Sequence, residues 1–404
     1  MKRGDHERLP TAFPRSDMNR RHDLDWVRVC AFALLVIYHV GMYYVSWDWH
    51  VKSPQASHAI EPLMVATAPW RLSLLFMVSG VATAFLLARG EAGFLGSRSW
   101  RLLLPLLFGM LVIVPPQSYF ELVEKAGYAD GYGAFYGRYL SKGFCKQPDR
   151  CLDTPTWNHL WFVAYLWAYT VVLWALHRLL PATLARLGAL VQRALTGPGL
   201  LLWPAAVLVA LRIALIDRFE STHALVDDWY NHAQYFGVFL LGYLIARATP
   251  VWDRFAALRW TALALSVGAY AFLAVYFSHY DELAPPPALK QLQRGVWGLM
   301  QWTSIAAVLG FARRHAPGDS PALRYLSQAV FPVYILHQTL IVVLAHELKT
   351  WGLAPRVEGP LLIVATLALC FAGYELVRRV GWLRPLFGLR RESKKPAPAV
   401  ATTA

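Results

Sequence analysis

Charge is scarce in this chain. Asp, Glu, Lys and Arg make up 16% of its 404 residues, where a soluble domain carries about a quarter. Acid is the scarcer sign: 25 Asp+Glu face 39 Lys+Arg, a net charge of +14. A surface this poor in charge argues against a soluble enzyme. The hydrophobic share of 56% excludes a disordered chain, which needs low hydrophobicity. Nucleic acid would account for the basic excess but not for the apolar majority, so no nucleic-acid partner is expected. Cysteine is rare as well, with four in all, and none sits in a zinc-binding spacing, so no metal site is expected. No internal repeat is visible, no small-residue cleavage site follows the first apolar segment, and no polar stretch is long enough for a separate soluble domain.

What is present is apolar sequence in long runs. A spanning helix needs roughly 20 mostly apolar residues. Ten segments qualify, at about 27–46, 69–88, 101–118, 157–177, 198–216, 232–248, 258–278, 293–313, 325–346 and 359–379. The fifth and sixth are weakest, one interrupted by Arg212 and the other short. Pro115-Pro116 reads as the close of the third. The expectation is an all-α, polytopic membrane protein of about ten helices. Its domain (26–389) lies between a loose N-terminal tail (1–25) and a disordered C-terminal tail (390–404).

Charge sets the orientation. With both termini cytoplasmic, inside segments hold 25 Lys+Arg and the outside loops 12, as the positive-inside rule requires. Cys30 and Cys370 fall within spans. Cys145 and Cys151 fall in the largest outside loop, on an oxidising side, where a disulfide and two free thiols are both open.

Ionisable groups at membrane depth are functional candidates. His39 in the first span and His337 in the ninth reach similar depth. Arg28 precedes His39 by eleven residues, almost three helical turns, so the two share one face about 16 Å apart. That stripe suits a ligand with an anionic head near Arg28 and a reactive end near His39. Asp25 opens the same span. Arg98 and Arg101 are spaced to clamp phosphate. His159 stands at the outer mouth of the fourth span beside Trp161. Trp49 and His50 lie in the first outside loop, in a pattern able to grip sugar rings.

Read together, these residues resemble the acyltransferase-3 family of membrane O-acyltransferases. Arg28 and His39 are similar to its Arg-ten residues-His signature. Leu75-Phe76-Met77-Val78-Ser79-Gly80 is similar to its Phe-Phe-x-x-Ser-Gly segment, Arg98 and Arg101 to its Arg-x-x-Arg pair, and Tyr334-Ile335-Leu336-His337-Gln338 to its late Tyr-x-x-His segment. Within the family the chain looks most like the glucan biosynthesis protein C type, on Trp49 to Ser53, His159 to Phe162, and Tyr374 to Leu376 followed by Leu383 to Phe387. Ala164, Leu166 and Trp167 stand where the O-antigen acetylase branch has acidic residues.

The resemblance implies an acyl-CoA donor in the cytoplasm, no bound cofactor, and a glycan acceptor across a bacterial inner membrane. For the glucan type, the reaction is succinylation of osmoregulated periplasmic glucan. Arg28, Arg98 and Arg101 would hold the donor, with Asp25 and Ser79 in support. His39 would act as general base or as the carrier of an acyl group. His337 would orient the acceptor or support the oxyanion, and Gln338 would face a succinyl carboxylate. His159 would join His39 and His337 as a catalytic residue where the acceptor enters, with His50, Trp161 and Trp49 binding the acceptor. A helper protein is compatible with this type. The rival reading is a transporter or flippase working through its intramembrane histidines.

Overall fold

A computed structural model describes residues 21–390 except 91, 142, 148–149, 153 and 281–282, and leaves the side chains of 145–153 undescribed. Most of the expected tails, and the thiols of Cys145 and Cys151, therefore lie outside the described residues.

The fold is helical. Its helices are α1 (His22–Tyr44), α2 (Glu61–Val65), α3 (Arg71–Leu87), α4 (Phe94–Phe108), α5 (Pro115–Ala126), α6 (Tyr132–Tyr139), α7 (Trp161–Leu179), α8 (Pro181–Leu195), α9 (Gly199–Leu215), α10 (Trp229–Ile245), α11 (Thr249–His279), α12 (Pro287–His315), α13 (Pro321–Lys349), α14 (Pro355–Arg379) and α15 (Leu383–Leu386). The all-α expectation missed one detail. Phe144–Gln147 and Arg150–Leu152 form a small antiparallel hairpin, with Cys145 opposite Cys151.

Helix lies at each of the ten expected segments, but fewer are long and apolar enough to cross a bilayer alone. Among the described residues seven are: α1, the run Phe94–Ala126, Asn158–Leu179, α11, α12, α13 and α14. An eighth arises if α8 and α9, bent by 115°, form one broken span. The remaining two, α3 and α10, have 17 residues each. At 1.5 Å per residue such a helix falls short of a roughly 30 Å hydrocarbon core. The molecule is a multi-pass membrane protein.

The proline pair does not end the third helix. Gly109–Ile113 forms a π-helical turn, and Pro115 and Pro116 then occupy the first turn of α5. Proline is tolerated there because a first-turn N–H has no intrahelical partner to lose. The helix thus runs 33 residues to Ala126, carrying Gln117, Glu121 and Glu124 with it.

Two packings position the site. Helices α1, α13 and α14 pack side by side. The Tyr44 hydroxyl donates to Glu358 at 2.9 Å, which ties the C-terminal end of α1 to α14. Lys52 turns back to donate to the carbonyls of Met42 (2.7 Å), Val45 and Trp47 (3.0 Å). It so satisfies acceptors that the end of α1 leaves open.

Helices α3 and α10 meet through glycine. A Cβ on Gly80 would overlap the Phe239 carbonyl, and one on Gly242 would overlap the Met77 carbonyl. Small residues allow this close approach where water cannot drive helices together. The Ser-Gly segment therefore divides its labour. Gly80 seats α3 on α10, and Ser79 faces a cavity. Gly80→Val is expected to part the two helices, at about 1–3 kcal/mol for overpacking. The check is a lower unfolding midpoint of the detergent-solubilised protein, with Gly237→Ala as control, since a Cβ there meets nothing within 4 Å.

Candidate active site

Packing α1 against α13 brings the two mid-span histidines into contact. His39 Nδ1 lies 2.8 Å from His337 Nε2, and the rings stack at 5.0 Å between centroids. His337 is completely buried. Its Nδ1 is 2.6 Å from the Tyr334 carbonyl oxygen one turn earlier. A carbonyl only accepts, so His337 Nδ1 carries the hydrogen. In a neutral ring Nε2 is then an acceptor, and His39 Nδ1 must donate to it. The remaining nitrogen of His39, Nε2, keeps its lone pair. A backbone carbonyl in α13 thus sets the tautomer of a side chain in α1.

This arrangement corrects the oxyanion role expected of His337. Both of its nitrogens are engaged, and it has no donor left for an oxyanion. Its geometry fits it to hold and orient His39 instead.

His159 sits edge-on to His337, at 5.2 Å between centroids. Its Nε2 donates to the Ile335 carbonyl at 3.1 Å, and its Nδ1 accepts from the Gln117 amide at 3.2 Å. The Tyr334 hydroxyl donates to the His159 carbonyl in return. With both nitrogens committed, His159 binds the start of the fourth span to α13 and is not poised as a base.

Gln117 is the residue the sequence reading missed. It is fully buried. Its amide nitrogen also donates to Thr339 at 2.6 Å. Its oxygen accepts from Asn158 at 3.2 Å and from Gln338 at 3.1 Å. Gln338 donates in turn to His50 Nε2 at 3.0 Å, and His50 Nδ1 donates to Glu121 at 2.6 Å. One connected network therefore runs from Glu121 through His50, Gln338 and Gln117 to His159. Gln338, expected near an acyl carboxylate, has both amide hydrogens already used.

These groups border two cavities. One, of about 520 Å³, is lined by His39, His50, His159, Trp49, Trp161 and Gln338, among others, and is the outer one in the orientation expected from charge. The Trp161 ring lies 4.1 Å from that of His223, so two flat faces stand together on this wall. The other cavity, about 480 Å³ and the inner one in that orientation, is lined by Arg28, Arg98, Arg101 and Ser79, among others. Arg384 and Arg390 join them there, a contribution that looks like ordinary topology charge in the sequence. Asp25 is not in the lining; its carboxylate stands 3.3 Å from the Arg28 guanidinium. Phe32, Leu75 and Phe162 line both cavities and form the wall between them. The stripe from Arg28 to His39 thus joins the arginine cavity to the histidine cavity. Among the described residues, no three His, Cys, Asp or Glu side chains are grouped to hold a metal ion.

Gln117→Leu should leave the His159, Asn158 and Gln338 groups facing it without partners. A buried unsatisfied group costs about 1–3 kcal/mol. The variant is expected to unfold at lower temperature than wild type. Thermal unfolding in detergent checks this, and an unchanged midpoint would mean that water replaces the amide.

No curated protein and no solved structure matches the chain. A family model does. The model described as an acyltransferase domain (Acyl_transf_3) matches residues 21–375, a range that takes in the histidines of one cavity and all but two of the arginines around the other. The chain belongs to the acyltransferase-3 family and is a membrane acyltransferase.

Proposed function

We propose that the protein is an O-acyltransferase of the bacterial inner membrane. It moves a succinyl or acetyl group from cytoplasmic acyl-CoA to a hydroxyl of a periplasmic or cell-surface glycan, such as an osmoregulated periplasmic glucan. Both termini face the cytoplasm in this reading. The observation that carries it is the free Nε2 of His39, held by His337 in a cavity that shares a wall with an arginine-lined one.

The chemistry follows from that placement. Arg28, Arg98 and Arg101, with Arg384 and Arg390, bind the phosphates of the donor from the inner side. Guanidinium groups suit this because their donors match phosphate geometry. The neutral pantetheine arm passes the apolar wall of Phe32, Leu75 and Phe162 and presents its thioester to His39. The glycan enters the outer cavity against Trp49, Trp161 and His50. The acceptor hydroxyl gives its proton to His39 Nε2 as its oxygen attacks the thioester carbonyl. The C–O bond forms and the C–S bond breaks. The departing thiolate then takes the proton from His39, which leaves an ester, a thiol and a neutral histidine. While His39 holds the proton, His337 Nε2 accepts a charge-assisted hydrogen bond from it, and such bonds are stronger than neutral ones.

Proteoliposomes with labelled acyl-CoA on the inner side and glucan outside test this reading. His39→Ala is expected to lose about 100- to 10,000-fold in turnover, the usual range for a general base. Near-normal turnover in a folded variant would remove His39 from the mechanism. Arg98→Gln or Arg101→Gln should raise KM for acyl-CoA and leave KM for the glycan in place. An unchanged donor KM in both would reject the clamp.

A further inference from the structure

The outer cavity contains a cation that the chemistry above does not use. Arg71 opens α3 and lines the cavity that holds His39. Its residue is 7% exposed. Its Nε and Nη1 are buried and have no hydrogen-bond partner among the described residues. Its guanidinium carbon lies 3.2 Å over the ring of Tyr38, the neighbour of His39. The Tyr38 and His39 ring centroids are 6.0 Å apart. One aromatic ring therefore separates the buried guanidinium from the candidate base.

A buried charge without a countercharge is costly. The cavity supplies Arg71 with little to offset it. Asp48, an acidic residue of the same lining, is held by Lys125 at 2.7 Å. The ring face of Tyr38 compensates in part, at about 2 kcal/mol for a desolvated cation–π contact, but it accepts none of the guanidinium's hydrogens. A guanidinium on the lining of a ligand cavity, with no acceptor for its Nε and Nη1 among the described residues, suits an anion that arrives with the ligand. A planar carboxylate matches the fork in two parallel hydrogen bonds.

Resting on the acyl-transfer reading, we infer that Arg71 receives a carboxylate carried into the outer cavity and so selects which ligand reacts at His39. That carboxylate is either the free end of a short dicarboxylic acyl group or an acid on the acceptor glycan. Arg71, Tyr38 and His39 line one cavity, so a carboxylate on the reacting acyl chain or on the acceptor would share that space with the guanidinium. Acetyl offers nothing to this cation.

The experiment measures binding and transfer side by side. Non-transferable thioether analogues of succinyl-CoA and propionyl-CoA, and uronate-bearing and neutral oligosaccharides, are titrated against the full chain in detergent. Wild type should prefer the carboxylated member of one pair. Arg71→Gln should lose about 10- to 100-fold for that member alone, the range for a hydrogen bond to a charged group. Arg71→Lys should recover part of the loss. Preference within the donor pair assigns the acyl chain as the source, and preference within the saccharide pair assigns the glycan. No carboxylate preference in wild type, or an equal loss for both members in folded Arg71→Gln, overturns the inference. Transfer from labelled succinyl-CoA and acetyl-CoA is read separately. A wild type that binds selectively but transfers nothing would sink the acyl-transfer reading and leave Arg71's selectivity standing.

Discussion

A single hydrogen bond between two helices organises the centre of this protein. His39 on α1 and His337 on α13 meet at 2.8 Å, deep among apolar side chains. In such surroundings a polar group must find a partner inside the protein. The constraint propagates outward. His337 can accept from His39 only because its other nitrogen is fixed by the Tyr334 carbonyl. That geometry in turn needs α13 held at one height against the start of the fourth span, which the paired His159–Ile335 and Tyr334–His159 bonds supply. The His39 nitrogen proposed to react is the one this arrangement leaves with its lone pair.

The network around Gln117 works on a different principle. Its members are amides, hydroxyls and imidazoles, so each can donate or accept and the set is satisfied as a whole. A fully satisfied buried network rigidifies its surroundings, whereas a partly satisfied one destabilises them. Glu121 and Lys125 end this chain at the outer rim, where the lysine stands 3.0 Å from one carboxylate oxygen and His50 2.6 Å from the other. The outer cavity is thereby walled on one side by preformed polar structure, the arrangement expected where a ligand must be oriented without reorganising its host.

Much of this was legible from spacing alone. A separation of eleven positions places Arg28 and His39 on one helical face, and the two bear on adjoining cavities. The depth match between His39 and His337 followed from counting along two spans that run in the same direction. Other features were hidden for identifiable reasons. Gln117 was lost because Pro115-Pro116 reads as a stop, while a π-helical turn and first-turn prolines let the helix continue. Arg384 and Arg390 resemble the basic residues that set topology, and Arg71 resembles an interfacial charge. Only folding shows that these cations turn inward. The weaker spans were legible as weak: α9 is part of a sharply bent pair, and α10 is short and carries Asn231, His232 and Gln234.

The wall formed by Phe32, Leu75 and Phe162 has a meaning beyond the passage of a substrate arm. Two cavities set end to end across a bilayer are most of a channel. If the side chains between them were small, water could join the arginine-lined space to the histidine-lined one, and protons could move along the imidazoles with the membrane potential behind them. Three apolar side chains keep a low-dielectric partition where the polar path would otherwise be continuous. On the proposed reading, the same partition keeps bulk water from the cytoplasmic side away from a thioester at His39. In the proposed orientation, the protein can pass an acyl group between compartments while the membrane stays electrically sealed.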